Sequence, residues 1–163
     1  MKKFELTSEF VTNISGTKLF RIKALVEFGD VEAGELGGYI EKEENLDHDG
    51  DAWVSGDAWV YGNALVYGDA WVSGDARVYG NARVCGDARV CGNGDYAYAH
   101  GFGSVNRTTT FFRLKDGGVG VRCGCFYGTL AQFRDKVRET HGETKKAQEY
   151  LMLADLMELR FKD

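Results

Sequence analysis

Small and branched apolar residues alternate with polar or aromatic ones in a six-residue repeat over residues 50–91. Each copy runs Gly, Asp or Asn, Ala, a variable residue, Val and a second variable residue. Side chains alternate along a strand, so Ala52 and Val54 face one side while Trp53 faces the other. Gly-Asp and Gly-Asn favour turns between such strands. Because strands this short cannot form a core alone, the repeat predicts a β-solenoid with Ala and Val in a narrow interior.

The repeat resembles the hexapeptide pattern of left-handed parallel β-helices, which places a small residue four positions after an aliphatic one. Val54 and Ala58 form the first such pair. The resemblance implies a left-handed coil in which three hexapeptides complete one triangular turn. Independently, GDAWVS at 50–55 recurs at 68–73, an interval of 18 residues. We therefore expect side chains 18 residues apart to stack in adjacent rungs.

Less regular segments flank the seven copies. Upstream, Ile40 and Leu46 continue the alanine register at intervals of six residues. Downstream, residues 92–103 (GNGDYAYAHGFG) keep glycine with small or aromatic residues but lose the strict pattern. Because an open solenoid end must be capped, we expect both segments to be irregular terminal rungs.

An N-terminal β-hairpin is predicted before the solenoid. Alternate residues of the segment 19–28 are apolar and share one face: Phe20, Ile22, Ala24, Val26 and Phe28. A second strand-like segment, FELTSEFV, precedes it, and residues 13–16 supply turn formers. Two such runs separated by a short turn are typical of a hairpin.

The C-terminal region predicts a ββαα module. Asp116–Gly118 separates the apolar runs TTTFFRLK and VGVRCGCF, which indicates a hairpin. Thr129 and Gln132 have the spacing of a capping box, and Gly142 marks the end of the helix that they begin. A second helix is expected over 145–161. The apolar stripes of the two helices are Leu130, Phe133 and Val137, then Leu151, Ala154, Met157 and Phe161.

The predicted fold class is therefore mainly β, in three parts. Residues 1–31 form the hairpin cap, residues 32–103 a short left-handed parallel β-helix, and residues 104–163 the ββαα cap. The module carries enough apolar surface to pack on the open end of the solenoid or on another copy of the chain.

A family resemblance covers nearly the whole chain. The run LFRIKAL…FGDVEAGELGGYIEKEENL…GDAWV resembles the front of phage and bacterial hexapeptide-repeat proteins described as polymer-forming or YdcK-like. The run FRLKDG…VRCGCFYGTLAQFRDKVRETHG is similar to a module appended to phage-type proteins. The resemblance implies a left-handed β-helix of phage or prophage origin, and it carries no catalytic motif to this chain.

Composition narrows the choice of partners. The 163 residues are 44% hydrophobic, which favours a packed fold, and the net charge of −5 gives no reason to expect binding to nucleic acid or to an anionic membrane. No apolar run is long enough for a membrane span, and the start, MKKFELTSEF, lacks the apolar core of a signal peptide. We expect a cytoplasmic protein with reduced thiols, in the host cytoplasm if a phage encodes it.

The histidines and cysteines offer two candidate sites, one catalytic and one metal-binding. Many left-handed β-helix enzymes are acyltransferases with a histidine base, and the candidates here are His48, His100 and His141. No excursion loop interrupts residues 50–91 to shape a substrate cleft, so this alternative rests on fold analogy. Cys123 and Cys125 are expected on one strand face with Val119 and Val121, where buried thiols explain them as well as a metal does.

Two recurrent residues of the repeat have similar structural explanations. Cys85 and Cys91 lie in adjacent hexapeptides and are expected on different sides of the solenoid. The repeated Asp residues that begin at Asp51 fit turn preference better than calcium binding, because Asn replaces Asp in two copies. We expect no metal and no cofactor.

The variable positions carry the functional prediction. The fourth residue of each copy points outward, and adjacent rungs are about 4.8 Å apart, so Arg can stack on Trp. Exposed Trp, Tyr and Arg are also enriched at protein interfaces. The predicted protein-binding residues are Trp53, Trp59, Trp71, Tyr61, Tyr67, Tyr79, Arg77, Arg83 and Arg89. The face of Trp53, Trp71 and Arg89 is the first candidate for contact.

The sequence therefore predicts a non-enzymatic solenoid that binds a host or phage protein or another copy of itself. Its expected role is that of a phage accessory protein, for example an inhibitor of a host defence system such as CRISPR. The alternatives are a small acyltransferase-like enzyme and a structural or polymer-forming scaffold. Arginines interleaved with aromatic residues could also stack on single-stranded bases, but the recurring Asp residues and the net acidity oppose nucleic-acid binding.

Overall fold

A computed structural model describes residues 2–103 and 107–162. Its first two strands, β1 (Phe4–Thr12) and β2 (Lys18–Ala24), pair antiparallel as the predicted hairpin. Asn13 shapes the turn, because its side-chain oxygen accepts hydrogen bonds from the N–H groups of Ser15 and Thr17. The second strand is shorter than predicted, since the chain leaves it after Ala24 and turns back towards the solenoid.

Seven two-residue strands follow the repeat in parallel pairs. Trp53 pairs with Trp71, Trp59 with Arg77, Leu65 with Arg83, and Trp71 with Arg89. Each pair therefore joins residues 18 positions apart in the chain. The strands are β4 (Trp53–Val54), β5 (Trp59–Val60), β6 (Leu65–Val66), β7 (Trp71–Val72), β8 (Arg77–Val78), β9 (Arg83–Val84) and β10 (Arg89–Val90).

The interior of the solenoid is built from the alanines and valines of the repeat, which are all buried. The turns require glycine. Gly74 has a φ of 63°, and a Cβ on it would overlap the carbonyl oxygen of Cys91 in the next rung. Gly68 has a φ of 67°, and a Cβ there would lie 3.0 Å from the backbone nitrogen of Gly86. The fixed glycines therefore allow both the left-handed turn conformation and the close stacking of rungs.

The hairpin is continuous with one face of the solenoid. Strand β3 (Leu36–Ile40) pairs antiparallel with β2 and parallel with β5, so one sheet runs in the order β1-β2-β3-β5-β8. Ile40 and Leu46 are buried, but they pair with Val60 and Val66, so they lie in the valine register and the predicted alanine register is wrong. The segment before the first copy is thus a partial rung, as expected.

A four-stranded antiparallel sheet follows the solenoid: β11 (Tyr96–His100), β12 (Thr108–Arg113), β13 (Val119–Cys123) and β14 (Phe126–Thr129). Two expectations change here. Residues 96–100, predicted as an irregular solenoid rung, pair with β12 in this sheet. The run VGVRCGCF divides into two strands, because Gly124 has a φ of 59° and reverses the chain.

Two helices, α1 (Leu130–His141) and α2 (Lys145–Arg160), pack on this second sheet. The predicted capping box is present, with Thr129 and Gln132 each accepting a hydrogen bond from the other's N–H group. The Thr144 hydroxyl caps α2 by accepting a hydrogen bond from the Ala147 N–H group, without a reciprocal bond. The predicted stripe residues are buried except Leu151, which is half-buried; Tyr150 is buried in addition. No helix of the described residues is long and apolar enough to cross a membrane.

Side chains close the first rung of the solenoid on its carbonyl side. The N–H groups of each rung donate to the carbonyls of the next rung, and the partial rung supplies N–H groups to only some carbonyls of the first rung, such as those of Ala58 and Val60. The Lys3 ammonium donates to the carbonyls of Ala52 (2.7 Å) and Gly50 (3.3 Å). The Asn45 amide donates to those of Ala64 (2.8 Å) and Gly62 (3.2 Å). Buried Lys3 and Asn45 thus supply donors to this end.

The last rung requires hydrogen-bond acceptors, because its N–H groups have no following rung to which they can donate. The Arg77 N–H donates to the side-chain oxygen of Asn93 at 2.7 Å, and the Arg83 N–H donates to the Thr110 hydroxyl at 2.9 Å. The Cys91 N–H donates to the Asp95 carboxylate at 2.9 Å. The segment after the repeat therefore caps this end with acceptors.

Candidate functional site

Four aromatic side chains form a connected cluster beside the solenoid, which we call the aromatic cluster: Trp59, Tyr61, Tyr79 and Tyr98. The Tyr61 and Tyr79 rings are stacked, with centroids 5.4 Å apart and planes at 15°. Tyr98 meets Tyr79 edge-on at 5.8 Å, and Trp59 meets Tyr61 edge-on at 6.5 Å. Because the repeat places Tyr61 and Tyr79 one rung apart, the solenoid itself creates the stack.

Arg77 lies over the Trp59 ring, with its guanidinium carbon 3.9 Å from the ring centroid. This is the Arg-on-Trp stacking expected for residues 18 positions apart, and such a pair contributes about 0.5–1 kcal/mol at an exposed site. The guanidinium also donates to the Asp75 carbonyl at 3.0 Å. Arg77 is therefore held in place while its edge remains at the surface.

The aromatic cluster lines one side of a groove with a volume of about 750 Å³. The hairpin turn contributes Asn13, Ile14 and Ser15, and the side chain of Ile14 is fully exposed. The far wall includes Arg160 of α2, which donates to the carbonyls of Asn93 (3.1 Å) and Tyr96 (3.3 Å). Hairpin, solenoid and C-terminal module all contribute to this one concavity, which we call the groove.

The tyrosines of the groove favour the neutral phenol. Burial raises the pKa of Tyr61 and Tyr96, and neighbouring phenols raise each further. The Tyr96 hydroxyl donates to the Arg77 carbonyl, which anchors the C-terminal module to the solenoid. The surface of the groove therefore offers aromatic faces and neutral hydroxyls together with the positive charges of Arg77 and Arg160.

Trp53 is not part of any exposed surface, so its predicted role in partner contact is wrong. The side chain is 0% exposed. It points out of the solenoid as predicted, but the chain between β2 and β3 folds over it. Phe28 meets the indole edge-on with centroids 5.3 Å apart, and a Cβ on Gly37 would lie 2.7 Å from the indole ring. Because the hairpin covers this first rung, Trp53 belongs to the core.

Four other predicted residues lie outside the groove: Trp71, Tyr67, Arg83 and Arg89. Trp71 is half-buried between Trp53 and Arg89 in its sheet. Arg83 and Arg89 donate to the backbone carbonyls of Asn63 (2.7 Å) and Asp69 (2.9 Å), each 20 residues earlier. These arginines therefore tie adjacent rungs together.

Sequence reasoning brought Trp59, Tyr61, Tyr79 and Arg77 to one site but missed Tyr98, Ile14 and Arg160. Tyr98 had a detectable signal, because it follows Tyr79 by 19 residues and nearly continues the column of tyrosines that are 18 apart. Ile14 and Arg160 had no such signal in the sequence. Their approach depends on how the hairpin and α2 pack, which no local pattern encodes.

Each histidine has a structural partner. His48 accepts a hydrogen bond from the Lys3 N–H at 3.0 Å, contacts Glu43 at 2.8 Å and stacks on Phe4 at 4.3 Å. Hydrogen bonds from His48 and Lys2 lower the pKa of Glu43. His100 contacts the Thr108 hydroxyl at 2.8 Å on neighbouring strands. His141 packs near the buried Tyr150 ring.

The cysteines do not form a shared strand face. Cys123 is buried at the end of β13, whereas Cys125 is exposed in the turn after it. The expectation that both thiols continue one stripe is therefore wrong, because the chain reverses at Gly124. Cys85 is buried and Cys91 exposed. Within residues 2–103 and 107–162, no group of three or more His, Cys, Asp or Glu side chains could hold a metal ion.

Comparison with known families finds a match to the YdcK β-solenoid repeat. Three overlapping copies match, at residues 58–74, 70–86 and 76–92. No curated protein is similar to the chain at a significant level. The matched part contains most of the repeat, so this region is similar to YdcK-like β-solenoids. The hairpin and the C-terminal module lie outside the match.

Proposed function

We propose that this chain is a non-enzymatic protein-binding solenoid whose groove holds a segment of a partner protein. The observation that carries the proposal is the aromatic cluster, which opens onto the 750 Å³ groove with Tyr79 41% exposed. Tyr, Trp and Arg dominate interface hot spots, and Tyr and Trp bury a large area with few rotatable bonds. A concavity of this volume accommodates several side chains of a partner.

The groove favours a partner segment that combines apolar and acidic side chains. Aromatic faces and Ile14 offer apolar contact, while the phenol hydroxyls offer hydrogen bonds. The guanidinium groups of Arg77 and Arg160 already donate to backbone carbonyls, yet their charge still favours a carboxylate nearby. The proposed occupant is a segment of a different protein whose surface complements this charge and shape. Self-association is a separate outcome of the test below.

The capped ends favour a discrete protein over the polymer-forming alternative. End-to-end stacking would require the carbonyls of one first rung to meet the N–H groups of another last rung. Lys3 and Asn45 already bond to the former, and Asn93, Thr110 and Asp95 bond to the latter. Replacing these bonds would leave a buried ammonium and a buried amide unpaired.

We propose further that the coil is left-handed, with three hexapeptides and 18 residues in each turn. The hexapeptide pattern and the parallel pairing of residues 18 apart support this geometry. The acyltransferase alternative has less support, because it rests on fold analogy alone. Transfer of the acetyl group from acetyl-CoA by the purified chain, lost on changing His100, would overturn the non-enzymatic proposal.

The biological proposal is a phage accessory protein that acts on a host protein in the host cytoplasm, with a defence system such as CRISPR as one target. Its support is the resemblance of both ends of the sequence to phage proteins. Expression of the chain in bacteria with an active CRISPR system, followed by phage challenge, tests it. Undiminished immunity would remove that target.

The binding proposal is tested with two tyrosines of nearly equal exposure, Tyr79 at 41% and Tyr127 at 42%. The purified chain is used to capture partners, and a captured protein is then titrated against Tyr79→Ser and Tyr127→Ser. We expect Tyr79→Ser to weaken binding about tenfold or more, as for a hot-spot residue, with Tyr127→Ser near wild type. Equal binding by both variants would contradict the proposal. Light scattering on the same proteins reports self-association.

A further inference from the structure

A second concavity, separate from the groove, is lined by positive side chains. Its volume is about 370 Å³, and it lies where the solenoid meets the C-terminal sheet. Three arginines and a histidine line it together with neutral residues: Arg83, Arg107, Arg122, His100, Asn81, Thr108 and Gly124. None of these residues lines the groove. Such a concentration of guanidinium groups is unexpected in a chain with a net charge of −5.

The charge of these arginines is not neutralised by the part of the chain that the structure describes. No carboxylate of residues 2–103 or 107–162 lies within 4.0 Å of Arg83, Arg107 or Arg122. Elsewhere, arginines near acids do pair: Arg134 contacts both Asp155 (2.8 Å) and Glu158 (3.0 Å). Like charges that converge without a counterion repel one another, so the pocket favours an anion.

The cationic groups are held by ordered elements. Arg83 is fixed through its bond to the Asn63 carbonyl at 2.7 Å, and Arg122 lies over the Tyr67 ring at 5.7 Å. The Arg107 guanidinium packs against Gly124, where an added Cβ would lie 2.5 Å from it. His100 is oriented by the Thr108 hydroxyl. Binding therefore requires little new ordering of the side chains.

We propose that this pocket binds the phosphoryl group of a small phosphorylated ligand. Guanidinium groups match the oxygen geometry of phosphate, and several of them can surround its two or more negative charges. A single carboxylate carries one charge and has fewer acceptor oxygens, so it satisfies three arginines less well. A nucleic-acid strand is disfavoured, because the net charge of the chain is −5.

The test is a calorimetric titration of the full chain with inorganic pyrophosphate and with AMP at low ionic strength. The variants are Arg107→Gln and Arg122→Gln, and the matched control is Arg138→Gln, an exposed arginine of α1 that pairs with Asp135. We expect saturable binding that weakens about tenfold or more in either pocket variant and is unchanged in the control. Thermal unfolding of each variant verifies that the fold is retained.

Three results would overturn the proposal. One is no saturable binding of either phosphate compound up to about 5 mM, which is weaker than a specific small-molecule site. Another is equal binding of malonate, a dicarboxylate without phosphorus, which would remove the preference for phosphate. The third is binding of a single-stranded oligonucleotide without binding of AMP or pyrophosphate, which would assign the pocket to a polynucleotide. The proposal does not depend on the groove, so partner binding is expected to be unaffected by Arg107→Gln.

Discussion

Trp53 and Trp71 pair directly in adjacent rungs, yet Trp53 is completely buried while Trp71 is partly exposed. The repeat gives the two residues identical neighbours in the sequence, GDAWVS in both cases. Their difference arises outside the repeat, because Phe28 and Gly37 cover the first rung only. The tryptophan of the same six-residue segment therefore belongs to the core in one rung and to the surface in the next.

This difference predicts unequal effects of truncation. Trp53→Ala is expected to lower the free energy of unfolding by about 3–5 kcal/mol, as for other buried large-to-small changes. Trp71→Ala is expected to lower it by less, because part of that ring is already in water. Urea denaturation of both variants measures the difference, and equal losses would contradict the burial of Trp53.

A milder change tests the indole nitrogen of Trp53. This buried N–H group has no hydrogen-bond partner among the described residues. Trp53→Phe removes it while keeping an aromatic ring, so the loss of stability is expected to be smaller than for Trp53→Ala. A loss as large as that of the alanine variant would contradict this expectation.

Two turn glycines allow a second comparison of the stability of matched variants. Gly74→Ala places a Cβ onto the Cys91 carbonyl oxygen, whereas Gly56→Ala places its Cβ at an ordinary 3.4 Å from Gly74. Both residues have positive φ, so both variants pay about 1–2 kcal/mol for the left-handed conformation. Gly74→Ala is expected to be less stable than Gly56→Ala by a further amount of similar size, because its rung must shift. Thermal denaturation ranks the two, and the reverse order would contradict the close stacking at Gly74.

Replacing Asn45 by the isosteric Asp is expected to lower the stability of the fold strongly. Its amide nitrogen donates to the carbonyls of Gly62 and Ala64, and its side-chain oxygen accepts from the Lys42 N–H at 2.9 Å. Asn45→Asp keeps the shape but turns a carboxylate oxygen towards two carbonyl oxygens in a buried site. We expect a loss of at least about 2 kcal/mol in the free energy of unfolding. Stability equal to wild type would show that the first rung does not depend on these donors.

Lys3 predicts a dependence of stability on pH. Burial lowers the pKa of Lys3 from 10.5 to about 8, with Asp47, Asp49 and Asp51 partly opposing the change. Between these values the unfolded chain holds the proton and the folded chain releases it, so this group makes stability rise with pH from about 8 to about 10. The free energy of unfolding is measured over this range for wild type and Lys3→Met. The wild type should gain relative to the variant, because the variant lacks this proton release.

The solenoid was predictable because its repeat encodes turns and interior in every copy. Alternation gave the hairpin strands, and the capping-box spacing gave the start of α1. The positions of Phe28, Tyr98 and Arg160 were not predictable, because each depends on how a cap packs on the solenoid. Outward direction on a strand predicts exposure only where nothing covers the strand. For that reason the candidate binding surface is the aromatic cluster and not the predicted face of Trp53, Trp71 and Arg89.

The pairing of residues 18 apart has a consequence for insertions and deletions. In the proposed coil of three hexapeptides per turn, adding one set of three would lengthen the solenoid and return the chain to the same face, so the contacts of both caps would be retained. Adding a single hexapeptide would advance the C-terminal module by one face and carry Tyr98 away from the Tyr61–Tyr79 stack. The groove thus depends on which face of the solenoid the C-terminal module follows. The solenoid can change in length by whole turns without changing that face.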